Sequence, residues 1–126
     1  MGRMLESYFR DLFNTGTAGD VREESYYPDL KRLLESWASA QHNDFLVTSL
    51  PKKTEGGNPD FRVLTTKKEL VGYIEAKAPT VENLDEVERS EQLKRYLSTF
   101  PNVILTNFFE FRLYRNGELT EKVQIG

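Results

Sequence analysis

"NPDFRVLTTKKELVGYIEAKAP", residues 58–79, contains two segments that read as β-strands, joined by the polar turn TTKK. A Pro-Asp pair opens the first segment, PDFRVL, and a Glu and a Lys two positions apart lie inside the second, ELVGYIEAKA. Both segments are otherwise typical of a sheet interior, where an unpaired charge is costly. Two carboxylates and one ammonium group in such a place indicate a function rather than a purely structural hairpin.

An antiparallel hairpin with an even-length loop centred on the Lys-Lys pair would place Thr65 opposite Leu70 and Asp60 opposite Glu75. Strand periodicity then puts Lys77 on the same face, one pleat further along. Like charges that face each other destabilise a sheet, but a divalent cation can bridge them. The pattern therefore predicts one metal ion with a lysine beside it, an arrangement suited to metal-assisted hydrolysis.

The alternative interpretation needs no metal. In it, Asp60 belongs to a turn, while Glu75 and Lys77 are solvent-facing residues of an amphipathic strand.

Composition limits the class of protein. The 126 residues suffice for one domain, residues 1–126, with a single hydrophobic core. Cysteine is absent and His42 is the single histidine, so any metal site must use carboxylate oxygens, which favour Mg²⁺, Mn²⁺ or Ca²⁺. No apolar run approaches the roughly 20 residues that span a bilayer, and we expect a cytoplasmic protein. The net charge of −3 indicates either that this chain does not bind DNA strongly by itself or that metal partly neutralises its acidic residues.

Hydrophobic periodicity predicts the order ααβββαβββ, an α/β (α+β) domain with a mixed central sheet flanked by helices. The 21–41 helix either starts near Ser25 as N-cap or kinks at Pro28, and Trp37 completes its apolar stripe. Asn116-Gly117 predicts a type I′ hairpin. The predicted helices are 4–13, 21–41 and 83–100, and the predicted strands are 44–50, 59–64, 69–78, 102–106, 109–114 and 118–125.

Four stretches together resemble a known family. Pro59-Asp60 followed by Glu75-Ala76-Lys77 resembles the PD-(D/E)xK signature of restriction-endonuclease-like nucleases, and SEQLKRY (90–96) resembles their Q-x₃-Y element. REESYYPDLKRLL (22–34) is similar to the helix that precedes their sheet. NVILTNFFEFRLY (102–114) resembles the N-terminal nuclease domains of restriction–modification enzymes that fuse a nuclease to a methyltransferase.

The resemblance implies a restriction-endonuclease-like core and a divalent-metal-dependent DNA endonuclease. It makes Asp60, Glu75 and the backbone carbonyl of Ala76 ligands of Mg²⁺, for which Mn²⁺ would substitute, and Lys77 the catalytic lysine. An early helix glutamate, Glu23, would complete the metal site.

Three further residues carry alternatives. Glu23 lies at helical spacing from the apolar stripe of 30, 34 and 37, whereas Glu24 does not, so Glu23 is chosen for the site; it could equally be a first-turn acid that complements the helix dipole. Gln92 would lie near metal or phosphate with Tyr96 supporting it, but a tyrosine at that spacing is as often a core residue.

The same resemblance implies partners. We expect this domain to be excised from a longer chain, without its methyltransferase and target-recognition domains, and to act on DNA, with a transient dimer for double-strand cleavage. Four lysines are expected to flank the site, as phosphate contacts or as solvated loop residues: Lys52, Lys53, Lys67 and Lys68. The alternative function is a catalytically silent module of the same fold that contributes DNA contact or assembly.

Overall fold

The computed structural model describes residues 2–126 and contains one six-stranded sheet with helices on both faces. The helices are Gly2–Gly16 (α1), Tyr27–Ala40 (α2), Asp85–Glu88 (α3) and Glu91–Thr99 (α4), with a 3₁₀ turn at Glu23–Tyr26 before α2. The strands are Phe45–Ser49 (β1), Phe61–Thr65 (β2), Leu70–Ala76 (β3), Asn102–Thr106 (β4), Glu110–Arg115 (β5) and Glu118–Gln124 (β6). The predicted α/β class with a mixed central sheet is confirmed.

The strands lie in the sheet in chain order, β1-β2-β3-β4-β5-β6, and the β3–β4 pair is parallel while the others are antiparallel. The crossover from β3 to β4 carries α3 and α4, as a parallel connection requires.

Asn116 and Gly117 both have positive φ, 51° and 83°, which confirms the type I′ turn between β5 and β6.

Each face of the sheet carries its own hydrophobic core. Helices α1 and α2 cover one face, where Leu30, Phe61 and Phe108 are fully buried. Helix α4 covers the other face, where Leu93 and Tyr96 pack against side chains of β4 and β5. Strand β3 separates the two cores, so its alternate residues face different helices.

The start of α2 follows the first of the two predicted alternatives, with a different cap. Pro28 lies in the first turn of the helix, where its missing N–H group costs no hydrogen bond. Ser25 is not the N-cap: it lies inside the 3₁₀ turn, where its Oγ accepts a hydrogen bond from the Arg22 amide at 3.0 Å.

Trp37 lies with Leu34 and Ala38 of α2 along an open apolar groove of about 250 Å³ and remains 43% exposed. One prediction about the helices is wrong. The predicted helix 83–100 is broken at Ser90, whose extended backbone starts α4 and whose Oγ accepts from the Leu93 amide at 3.2 Å. An N-cap serine of this kind begins a new helix rather than continuing the old one.

The turn of the β2–β3 hairpin also differs from the prediction. The loop has an odd number of residues, since the Thr65 amide donates to the Glu69 carbonyl at 2.8 Å and Lys68 takes a left-handed φ of 66°. Leu70 therefore pairs with Leu64, and the predicted pairing with Thr65 is wrong.

A β-bulge then restores the predicted register. The pairing shifts by one residue between Val63 and Leu64, so that Val63 lies opposite Gly72 and Phe61 opposite Ile74. Two irregularities of one residue thus cancel before the strands reach the end of the hairpin that carries the charges.

Strands β3 and β4 approach each other closely at Gly72. A Cβ atom at this position would lie 2.6 Å from the backbone oxygen of Asn102, so no larger residue fits without moving a strand. At the other end of the pair, the Lys77 amide donates to the Thr106 carbonyl at 2.8 Å. The parallel pair therefore fixes the backbone position of Lys77.

Within residues 2–126, none of the helices combines the length and apolar composition needed to cross a bilayer.

Candidate metal and catalytic site

Asp60 and Glu75 lie at the same end of the β2–β3 hairpin. Asp60 directly precedes β2 and Glu75 is the second-last residue of β3, so continuing the Phe61–Ile74 pair places the two acids opposite each other. Glu75 points away from the core under α1 and α2, because its neighbours Ile74 and Ala76 belong to that core. The predicted facing of the two carboxylates is thus reproduced at this end.

Both oxygens of the Asp60 carboxylate are held by the protein. Oδ1 accepts a hydrogen bond from the Tyr27 hydroxyl at 2.6 Å, and Oδ2 accepts from the Ala76 amide at 2.7 Å. The backbone is fixed as well, because the Leu50 amide donates to the Asp60 carbonyl at 2.7 Å. The carboxylate therefore has one defined orientation, in which each oxygen still has a second lone pair free.

Glu75 is buried, with 4% of its surface exposed, and only one of its two carboxyl oxygens has a polar partner. Its Oε2 lies 3.4 Å from Lys77 Nζ, while its Oε1 is buried without any hydrogen-bond partner. Burial and, next to it, the negative charge of Asp60 raise the pKa of Glu75 above the usual value. The site therefore holds a buried carboxyl oxygen that either a proton or a cation would satisfy.

Lys77 lies beside this pair and connects it to α4. Its Nζ is 3.5 Å from Gln92 Oε1 in addition to the 3.4 Å contact with Glu75. About a quarter of its side chain remains exposed, so the ammonium group can reach a ligand that approaches from solvent. Gln92, in the first turn of α4, is thus brought to the site as the Q-x₃-Y resemblance implied.

Tyr96 is a core residue, and its supporting role at the site stays a prediction. Its ring is 1% exposed and belongs to the core under α4, whereas its hydroxyl is buried without a hydrogen-bond partner. Burial, followed by the negative charges of Glu75 and Asp60, raises the pKa of this hydroxyl to about 12. The tyrosine is a packing residue whose polar end lies close to the acidic pair.

Glu23, and not Glu24, lies beside the acidic pair. Its Oε1 accepts from the Tyr27 hydroxyl at 3.4 Å, and burial followed by the negative charge of Asp60 raises its pKa. Glu24 is exposed. The Tyr27 hydroxyl therefore links Glu23 to Asp60, a contact that the sequence did not reveal because Tyr27 reads as one more member of the apolar stripe.

The donor set fits a hard divalent ion held by few side chains. Between residues 2 and 126, no three side chains of His, Cys, Asp or Glu converge closely enough to hold a metal ion among them. Two carboxylates converge, those of Asp60 and Glu75, and the Ala76 carbonyl is next to them in the chain. Mg²⁺ is commonly bound by one or two carboxylates, with water and substrate phosphates at the other positions. Glu23 would then lie at the edge of the metal site, next to Asp60.

The four lysines expected near the site separate into two pairs. Lys67 and Lys68 lie in the β2–β3 turn, at the far end of a five-residue strand, which corresponds to about 16 Å. The expectation that they flank the site is wrong. Lys52 and Lys53 follow Leu50, whose amide contacts Asp60, and they are exposed.

The mixed six-stranded sheet with helices on both faces is compatible with a restriction-endonuclease-like fold. Among solved structures, a chain from the cryo-electron microscopy structure of a DrdV–DNA complex aligns with a TM-score of 0.74. The alignment covers 98% of this chain and 87% of that chain, at 23% sequence identity. At that identity the likeness establishes the fold. No protein-family model matches the sequence, and no curated protein matches it significantly.

Proposed function

We propose that this chain is a divalent-metal-dependent DNA endonuclease domain that hydrolyses phosphodiester bonds, as the cleavage module of a restriction–modification enzyme. The observation that carries the proposal is the convergence of Asp60 and Glu75 at one end of a hairpin, with Lys77 Nζ 3.4 Å from Glu75. The DNA in the complex that contains the structural neighbour supports DNA as the substrate.

Two carboxylates and one backbone carbonyl would form the metal site. Asp60 and Glu75, with the Ala76 carbonyl, would hold Mg²⁺ or Mn²⁺, which when bound polarises a phosphate and lowers the pKa of bound water. Asp60 needs no rearrangement, because Tyr27 and the Ala76 amide already orient both of its oxygens. Such preorganisation lowers the cost of assembling the site.

Lys77 would act on the phosphate. Its ammonium group can donate to a non-bridging phosphate oxygen or to the attacking water, and its side chain is about a quarter exposed. Gln92 limits the positions that the ammonium group can adopt, since its Oε1 accepts from the same Nζ.

The test is nicking of supercoiled plasmid by an excess of the protein in Mn²⁺. We expect Lys77→Ala and a chelator each to abolish nicking. Lys67→Ala, which removes the same charge at the far end of the hairpin, should nick like the wild type. Cleavage at the wild-type rate by purified Lys77→Ala would remove the lysine from the mechanism and indicate a contaminating nuclease or another site.

A second candidate function is a catalytically silent module that contributes DNA contact or assembly. Two features favour it: only two carboxylates converge within residues 2–126, and one of them is already paired with Lys77. A silent module needs no metal, so the thermal-shift experiment in the Discussion separates the two functions.

A further inference from the structure

The segment between β1 and β2, residues 51–58, is anchored at both ends beside the acidic pair. At its start, the Leu50 amide donates to the Asp60 carbonyl at 2.7 Å. At its end, the buried Pro59 leads directly into Asp60. This segment, here called the 51–58 loop, therefore leaves and re-enters the sheet at the candidate metal site.

The loop is also packed against α4. The Gly56 carbonyl accepts from Arg95 Nε at 3.2 Å. A Cβ atom on Gly56 would lie 2.9 Å from the Phe100 ring, and one on Gly57, whose φ is 123°, would lie 3.1 Å from the Tyr96 ring. The two glycines thus permit a close approach to α4 that other residues would prevent.

Inside the loop, Thr54 closes a tight turn with Gly57. The Thr54 amide donates to the Gly57 carbonyl at 2.8 Å, and the Gly57 amide donates back at 3.2 Å. The Thr54 hydroxyl donates to the same Gly57 carbonyl at 2.8 Å. Internal hydrogen bonds and the contact with α4 therefore fix where the loop lies relative to Gln92 and Tyr96.

The charges of this region lack partners. Lys52 and Lys53 are exposed, and among the described residues neither forms an ion pair. Arg62, on β2 two positions beyond Asp60, also forms no ion pair among the described residues. Its buried Nε has no hydrogen-bond partner. Glu55 is the one acid in the loop, and it is exposed. The loop and the strand that follows it thus carry three cations without an ion pair among the described residues, and the loop enters that strand at Asp60.

We infer that the 51–58 loop binds the phosphate backbone of the DNA strand that is cut, with Lys52 and Lys53 as the phosphate contacts. The inference rests on the proposed nuclease function and assigns its substrate contact. Phosphate contacts set the position and orientation of a duplex without reading its sequence. A loop fixed to both the acidic pair and α4 would set the distance between the bound backbone and Lys77.

The chain offers a matched control for this inference. Lys52→Gln/Lys53→Gln and Lys67→Gln/Lys68→Gln remove the same charge from adjacent exposed lysines, at opposite ends of the β2 strand. Binding of a fluorescent duplex is measured in Ca²⁺ over a series of salt concentrations, with nicking in Mn²⁺ measured in parallel. Lys52→Arg/Lys53→Arg serves as the charge-preserving variant.

We expect the Lys52/Lys53 variant to weaken binding and to reduce the slope of log K against log salt by about 1 per lysine. The Lys67/Lys68 variant should keep the wild-type slope, and the arginine variant should restore it. Equal slopes for the two glutamine variants, or no measurable binding by the wild type at low salt, would overturn the inference. Loss of wild-type nicking with the binding pattern intact would overturn the proposed catalysis and leave the loop as a DNA contact.

Discussion

At the scale of single residues, the Asp60–Glu75 pair is destabilising in the absence of a cation. Glu75 Oε1 is buried and unpaired, and the only ammonium group within contact of the pair, among the residues described, is that of Lys77. Removing water from two neighbouring carboxylates costs free energy that one lysine at 3.4 Å only partly offsets. The free energy of unfolding should therefore respond to anything that neutralises this pair.

The first prediction concerns divalent metal. Mg²⁺ or Mn²⁺ should raise the melting temperature of the wild type, because an ion that binds only the folded state stabilises it. Asp60→Asn/Glu75→Gln should lose this response. At a pH above the pKa of Glu75, about 8, it should also melt higher than the metal-free wild type, because the repulsion between two ionised carboxylates is removed.

Differential scanning calorimetry with and without a chelator measures both effects. The matched control is Glu55→Gln/Glu121→Gln, which removes the same charge from two exposed positions and should keep the response to metal. A double variant of the acidic pair that still gains stability from metal would place the ion elsewhere and favour the silent module.

The second prediction concerns pH. Burial, followed by the negative charge of Asp60, raises the pKa of Glu75 from 4.5 to about 8. The folded state therefore keeps a proton that the unfolded chain has lost, and the stability that this proton contributes is complete below about pH 4.5 and is lost as the pH rises toward 8. Without metal, the free energy of unfolding should fall across this range, and Glu75→Gln should remove that part of the decrease.

Urea unfolding at half-unit pH intervals in a chelator measures the slope. Saturating Mg²⁺ should flatten the curve of the wild type, because metal binding displaces the proton. A wild type whose stability rises with pH in parallel with Glu75→Gln would show that Glu75 is ionised throughout and that its burial is compensated.

At the scale of elements, the crossover is held by a buried arginine. Arg112 on β5 is 3% exposed; its Nε donates to Glu110 Oε2 at 2.5 Å and its Nη2 donates to Asp85 Oδ1 at 2.8 Å. Its Nη1 donates to Glu88 at 3.2 Å, and Glu88 also accepts from the Tyr114 hydroxyl. These contacts attach the single turn of α3 to the sheet and so position the start of α4.

The third prediction is that Arg112→Met lowers the free energy of unfolding by about 3–5 kcal/mol, because it leaves the buried Glu110 with only the exposed Lys122, at 3.7 Å, as a cation. The change should also weaken the response to metal, since α4 loses part of its support. Urea unfolding and the metal-dependent melting shift measure the two effects. Arg115→Met, an exposed arginine on the same strand, is the control and should change the free energy by less than about 0.5 kcal/mol. A similar loss in both variants would indicate a general effect of charge.

The β2–β3 hairpin shows how far the sequence could predict this structure. Counting outward from an even-length loop between the two strands predicted Asp60 opposite Glu75, which agrees with the register of the strands at that end although the loop itself is odd in length. The left-handed Lys68 was not predictable, since that position usually carries glycine or asparagine, and the compensating bulge followed from it. The correct pairing at the site therefore depended on two local errors that cancelled.

Contacts between distant elements account for most of the remainder. Neither the Tyr27 hydroxyl at Asp60 nor the Arg95 contact with Gly56 has a local signal, because each joins residues more than 30 positions apart. The break at Ser90 had a weak local signal, a serine before a helical stretch, but the charged run 85–91 reads as one continuous helix. Patterns along the chain predicted the elements, whereas long-range polar contacts were visible only in three dimensions.

At the scale of the whole molecule, charge and stoichiometry limit what one copy can do. The chain has a net charge of −3, so under the proposed function its attraction to DNA would come from local positive groups such as those of the 51–58 loop rather than from the overall field. Within residues 2–126 there is one pair of facing carboxylates beside a lysine. Under the proposed function, one such site would hydrolyse one phosphodiester bond at a time.

The fourth prediction follows from that stoichiometry. If the proposed function is correct, nicked plasmid should form at a rate proportional to protein concentration, whereas linear plasmid should form with a higher-order dependence, because two copies must act on opposite strands. The measurement is a gel time course over a hundredfold range of protein concentration in Mn²⁺. Adding an equal amount of Lys77→Ala should reduce linear product more than nicked product, since mixed pairs cut only one strand. Linear product that keeps pace with nicking at the lowest concentration would mean that one copy cuts both strands in succession without a partner.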